Sequence, residues 1–327
     1  MKKRFLHIIP WLITCVAFYF AFSGVDWRVL LTHVGGANFG WLLCATLLTC
    51  CSYLFRARRW QFLFPEQMIT LVDSIKVLIL GFFMNNILPA RAGELVRAHM
   101  GSKVTYQTRT LVLATIASER LADGLMLSVM FVAFAFGLGD QHLSESLFYV
   151  AILFGVVTAL IVLTIALREK LFGVAARLQN KLNSKTSAYT LNRLQVFING
   201  LLPLCTGSKL PIIILWTAVV WSTELVVYMT VVQAYGASLS LPYCVLFLVA
   251  VNFSSLIPAA PGGFGVIEAI ASAVLVSIGI EKELALSMVF TQHMLQYFVV
   301  GAPGVVIMFS WQSNIKQYRE APDECET

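Results

Sequence analysis

Apolar residues run through this chain in long stretches separated by short polar segments, with little strict alternation between the two. That pattern fits neither half-buried strands nor the one-sided stripe of a soluble helix. A bilayer core takes about 20 residues of apolar helix. Runs of roughly that length at 5–23, 39–55, 111–138, 146–167, 210–235 and 284–311 predict six membrane-spanning helices. The first follows Met1-Lys2-Lys3-Arg4, as the apolar part of a signal peptide would. Because more spans follow, it is read as an uncleaved first helix.

Two other apolar stretches are shorter, 77–89 and 241–257, and run into Pro89 and Pro258. Proline lacks an N–H and interrupts a helix. Arg56, Arg58, Arg59 and Lys76 precede the first stretch, while Arg91, Arg97, Lys103 and Arg109 follow it. A crossing there would place one basic cluster outside, against the positive-inside rule. A re-entrant hairpin keeps both clusters in the cytoplasm. Threaded this way, all of the 23 Lys and Arg are cytoplasmic except Arg28 and Lys282 in outer loops and Arg120 within a span. Both termini then lie in the cytoplasm.

The two short stretches share a pattern. Ile87-Leu88-Pro89-Ala90-Arg91-Ala92-Gly93 and Leu256-Ile257-Pro258-Ala259-Ala260-Pro261-Gly262 both read apolar-apolar-Pro-Ala-x-x-Gly. Each follows a polar pair, Asn85-Asn86 or Ser254-Ser255. The expected fold is an all-α integral membrane protein built as an inverted repeat, each half holding three spans and one re-entrant hairpin. The first repeat covers 1–140, with its hairpin at about 77–109. The second covers 141–311, with a cytoplasmic amphipathic linker at about 168–209 and a hairpin at about 241–280; residues 312–327 form a polar tail. Paired Gly/Pro-interrupted segments in inverted halves point to a binding site near the midplane.

Composition narrows the function. Of 327 residues, 58% are hydrophobic and 12% charged, against about 25% charged in soluble domains. This excludes a cytosolic enzyme, a DNA-binding module and a disordered chain. The net charge of +6 is spread between apolar runs and forms no nucleic-acid patch. Seven cysteines show no CxxC spacing and five histidines no metal-ligand spacing, so neither a metal nor another cofactor is expected.

Charged groups at membrane depth are costly, and each is a functional candidate. Glu119, Arg120 and Asp123 fall near the middle of the third span, and Glu224 near the middle of the fifth. Glu119 and Asp123 share a helix face and repel unless a cation such as Arg91 or Arg97 lies between them. Glu268 follows the second tip by one helical turn, much as Glu94 follows Gly93. These groups fit either an internal ion-pair network or contacts to a cargo. In Pro261-Gly262-Gly263-Phe264-Gly265 the backbone is permissive, and a helix beginning near Val266 would offer its first amides to a phosphate. The tip candidates are therefore Asn85, Asn86, Pro89, Gly93, Pro258, Pro261, Gly262, Gly263 and Gly265.

Leu88-Pro89-Ala90-Arg91-Ala92-Gly93-Glu94-Leu95-Val96-Arg97, Glu119-Arg120-Leu121-Ala122-Asp123 and Pro261-Gly262-Gly263-Phe264-Gly265-Val266-Ile267-Glu268 together resemble the flippase-like membrane domain of lysylphosphatidylglycerol synthases, over roughly 5–311. The resemblance implies a bacterial inner-membrane protein that moves a phospholipid or lipid-linked head group between leaflets. It implies a central cavity formed by Arg91, Glu94, Arg97, Glu119, Arg120, Asp123 and Glu268, to which position in the fifth span adds Glu224. Gln292-His293 stand where members often carry an arginine. No aminoacyl-transferase portion accompanies these residues, so lysyl-lipid synthesis is not expected. The expected partners are the bilayer and its lipids, with no nucleic acid. The alternatives are a polyprenyl-phosphate-dependent glycosyltransferase, a non-catalytic accessory of a lipid-synthesis enzyme and an ion-coupled small-solute transporter.

Overall fold

The computed structural model describes residues 2–64, 68–88, 92–138, 209–257 and 259–318, with isolated positions at 156, 163, 167, 170 and 173. The expected span at 146–167 and most of the linker at 168–209 lie outside these residues. Every regular element among the described residues is helical.

Helix α1 (Lys2–Phe22) ends at a turn where Gly24 takes a positive φ of 69°, and α2 (Trp27–Gly36) leaves at 86° to it. The Asp26 carboxylate caps α2 by accepting from the Arg28 and Val29 amides at 2.8 and 3.4 Å. The sequence reading had no helix here, because ten residues between Asp26 and Gly36 carry no span-length apolar run. Asn38 caps α3 (Phe39–Phe62) in the same way.

Helix α3 corrects the sequence reading. It was expected to end at residue 55, with Arg56, Arg58 and Arg59 in a cytoplasmic loop. Instead the helix continues to Phe62 and buries Arg56 and Arg59. A basic cluster beside an apolar run looks like a loop unless its partners, distant in sequence, are known.

The first hairpin is α4 (Leu71–Ile87) and α5 (Gly93–Thr105). A Cβ on Gly93 would lie 2.2 Å from the Gly81 carbonyl oxygen and 2.5 Å from the Asn85 amide nitrogen. The two backbones therefore touch, which only glycine permits. Helix α6 (Arg109–Leu138) then packs against α5.

Helix α7 (Leu210–Ala234) lies along α3. The second hairpin is α8 (Leu241–Ser254), a 3-10 turn at Pro261–Gly263, and α9 (Val266–Ser277). With 14 residues, α8 rises about 21 Å and falls short of a hydrocarbon core about 30 Å thick. Helix α10 (Lys282–Tyr318) closes the described chain and continues into the stretch expected to be a tail.

Helices α3, α7 and the Lys282–Trp311 part of α10 are each long and apolar enough to cross a membrane, and the bent pair α1–α2 passes that test jointly. Leu47, Ile214, Leu215, Phe298, Val306 and Phe309 are exposed. Apolar side chains in such number suit contact with lipid. One buried cluster includes Phe131, Trp221, Tyr228 and Phe247; another includes Trp60, Phe64, Val77 and Phe83.

Gly93→Ala is expected to lower stability by about 1–3 kcal/mol through overpacking of the first hairpin. Thermal unfolding of the purified variant measures this. Unchanged stability would show that the α4–α5 contact yields without cost.

Candidate functional site

Arg56 and Arg59 are three residues apart on α3 and project from one face. Arg59 donates from Nη1 to the Asp123 carboxylate at 2.6 Å and places Nη2 3.6 Å from Glu119. It is the cation between Glu119 and Asp123 that their spacing requires. Arg97, one of the two candidates for that place, instead binds Glu119 alone at 2.6 Å and lies 4.2 Å from the Trp60 ring centre. Arg56 reaches Glu224 at 3.1 Å and Asp123 at 3.6 Å. Ser52 and Trp221 add hydrogen bonds to Glu224 and Asp123, at 2.7 and 2.9 Å.

Arg120 completes the set. It pairs with Glu94 at 2.9 Å, lies 3.9 Å from Asp123 and sits over the Phe82 ring. Its side chain is 29% exposed, while those of Arg56, Arg59 and Arg97 are 9%, 0% and 2% exposed. Four arginines thus face four carboxylates, and Arg120 is the one held least tightly by burial. In low dielectric, a charge left without its partner costs several kcal/mol, so the buried pairs lock α3, α5, α6 and α7 together.

Beside this network lies a cavity of about 350 Å³. The first tip contributes Asn85, Asn86 and Leu88, and the second contributes Ser255, Ile257, Ala260, Gly262 and Gly263. Arg56, Arg120, Asp123 and Glu224 line one side, and His293 and Tyr297 of α10 line the other. Segments far apart in sequence but alike in pattern therefore meet around one space.

At the second tip, Glu268 accepts from the Gly265 amide at 2.6 Å through one oxygen and lies 2.6 Å from His293 Nδ1 through the other. The amide of Gly265, the residue that caps α9, is thus taken by this carboxylate. His293 Nε2 lies 3.1 Å from the Gly262 carbonyl oxygen. Ser254 and Ser255 bond backbone carbonyls of their own helix, at Val251 and Asn252.

Of the residues singled out in the sequence, Arg120, Asp123, Glu224, Asn85, Asn86, Gly262 and Gly263 line the cavity. Arg97 and Glu119 are buried behind it, and Glu94 reaches it through Arg120. Gly93, Pro261, Gly265 and Glu268 shape the hairpins around it. Arg91, Pro89 and Pro258 lie outside the described residues. Sequence reasoning missed Arg56 and Arg59, and marked His293 only as standing in place of an arginine. The three-residue spacing of Arg56 and Arg59 was a usable signal, since Arg58 between them turns away to Gln61 at 2.8 Å.

Arg59→Met is expected to cost about 3–5 kcal/mol, because it removes the buried cation between two buried carboxylates and leaves them Arg97 and the more distant Arg56. Adding Asp123→Asn should recover part of that loss. Denaturation midpoints of the two variants test this, and an undiminished midpoint for the single variant would show the network to be dispensable.

Residues 7–304 match the family described as lysylphosphatidylglycerol synthase TM region. A UPF0104 membrane protein of Pyrococcus horikoshii is 24% identical, the alignment covering 94% of this chain and 97% of the relative. Another UPF0104 membrane protein, from Methanocaldococcus jannaschii, is 23% identical over 71% of this chain and 96% of its own length. A third, from Methanothermobacter thermautotrophicus, is 23% identical over 80% of each chain. With nearly its whole length matched and helices of spanning length, this chain is a multi-pass membrane protein and belongs to the lysylphosphatidylglycerol synthase transmembrane-region family.

Proposed function

We propose that this protein moves a phospholipid or lipid-linked head group between the leaflets of the cell's inner membrane and is not an enzyme. The observation that carries this reading is the shared cavity, where both hairpin tips meet a mixed-charge wall containing Arg120. Arg120 is paired but keeps 29% of its side chain exposed, so a phosphate entering the cavity could replace Glu94 as its partner. The apolar tip residues Leu88 and Ile257 offer a surface compatible with acyl or prenyl chains.

The proposed architecture is the inverted repeat, divided near residue 140, with both termini in the cytoplasm. The helix packing that supports it comes in matched sets. Helix α3 packs on α4 as α7 does on α8, and α5 on α6 as α9 on α10. Across the halves, α4 packs on α10 as α8 does on α6, and α3 and α7 pack on each other. A two-fold relation between halves would allow the tips to alternate in opening the cavity to either leaflet.

Arg120→Gln tests the reading; the Arg120 and Glu94 side chains are 29% and 28% exposed, so losing their pair costs about 1–3 kcal/mol of stability. Purified protein in vesicles should translocate a labelled phospholipid, and the variant should do so at least about tenfold more slowly while still unfolding in one cooperative transition. Wild-type rates equal to those of protein-free vesicles, across anionic and zwitterionic phospholipids, would remove lipid transport. Full activity in the variant would remove Arg120 from it.

A further inference from the structure

The two tips are fastened to their neighbouring spans by different chemistry. Glu94 at the start of α5 pairs with Arg120, and Glu268 at the start of α9 pairs with His293. Arg120 and His293 each stand eleven residues beyond the first residue of their helix, α6 and α10. Arginine keeps its charge at any accessible pH, whereas histidine gains and loses a proton in the physiological range. One tip therefore has a fixed clasp and the other a titratable one.

The hydrogen bonds at His293 define what the second clasp holds. Nδ1 faces a Glu268 oxygen at 2.6 Å and Nε2 faces the Gly262 carbonyl oxygen at 3.1 Å. A carbonyl oxygen only accepts, so Nε2 carries a proton. The short contact at Nδ1 then needs a second proton, carried by the imidazole or by the carboxyl group. A neutral imidazole beside an ionised carboxylate has one N–H for two acceptors, and would set a lone pair against an oxygen at one of them. The observed geometry is that of a pair holding one extra proton. Glu268 and His293 are 1% and 4% exposed, so losing either bond is costly even though His293 borders the cavity.

We propose that Glu268 and His293 form a proton-binding site that latches the second hairpin tip to α10. With the proton bound, α10 holds both the Gly262 carbonyl in the 3-10 turn and, through Glu268, the Gly265 amide at the start of α9. When the proton leaves, one of those links fails and the tip, which lines the cavity, is released. The movable species is a proton alone, so no bond other than N–H or O–H is made or broken. The inference concerns the tip itself and stands whether or not lipid is the cargo.

The surroundings set no competing counter-ion against this pair. Helix α10 adds Tyr297, whose ring centre lies 5.1 Å from that of His293, and the tip adds the Phe264 ring at 4.8 Å. Helix α1 contributes Thr14, which accepts from the Ala260 amide at 2.9 Å, and Phe18, which packs on Gly265; neither is ionisable. Across the cavity, Arg56, Arg120, Asp123 and Glu224 are engaged with one another and with Glu94. Among the described residues, no arginine or lysine pairs with Glu268.

Hydrogen exchange of purified protein in lipid nanodiscs tests the latch, read on peptides covering 259–268 and corrected for the intrinsic pH dependence of exchange. Tip exchange in the wild type should rise by at least about tenfold between about pH 5 and about pH 9, while α3 peptides stay protected. His293→Arg, a fixed charge like that of Arg120, should keep the tip protected across the range. Wild-type exchange that is flat with pH overturns the proposal, as does an equal rise in His293→Arg. Should that variant not fold, as judged by exchange of α3, Glu268→Gln decides in its place. Loss of the pH step in Glu268→Gln supports the latch, and a retained step overturns it.

Discussion

Arg59 has no exposed surface, and among the described residues its charge is balanced by the Glu119 and Asp123 carboxylates of α6. Everything around it follows from that constraint. Asp123 needs Trp221 of α7 and a share of Arg56; Arg56 needs Glu224; and Glu119 needs Arg97 of the first hairpin. Each buried charge recruits another helix, and the chain of pairings ends at Arg120, where burial ends too. A hydrophobic contact could hold the same helices together. It would not fix their register as an arginine between two carboxylates does, because apolar surfaces slide at little cost.

The cavity is a by-product of this arrangement. Helices α4 and α8 stop short, with their tips facing each other beside the charged wall. Tip backbone that is freed from helical bonding needs protein or water around it, and the cavity gives both tips a common place away from lipid. Glycine makes the approach possible at Gly93 and again at Gly262, where φ is 72° and a side chain would meet the Tyr297 hydroxyl.

Much of this was legible in the sequence. The short stretches ending at proline, the small residues after them and the carboxylates at depth marked both tips and most of the acidic wall. The basic half was harder to read. Arg56 and Arg59 stand in a run, Arg56-Ala57-Arg58-Arg59, that resembles a cytoplasmic anchor; apart from their three-residue spacing, it is partners 60 or more residues away that distinguish them from Arg58. Helix α2 escaped because a ten-residue helix at a sharp bend has no apolar run to announce it. His293 was marked only as standing where an arginine was expected, since its role comes from a carboxylate and a carbonyl brought near it by the second hairpin.

The corner between α1 and α2 has a further consequence. Helix α2 is set at 86° to α1, so the chain turns sharply at Gly24 and leaves Trp27 and Leu31 exposed. The corner is tied to the start of α10, for the Asp26 amide donates to Glu283 and Lys282 donates to the Ser23 carbonyl. Through these two bonds α1 and α10 share one anchorage at the corner. Since α1 backs the second tip through Phe18 and α10 holds it through His293, a shift at the corner would reach that tip from both sides.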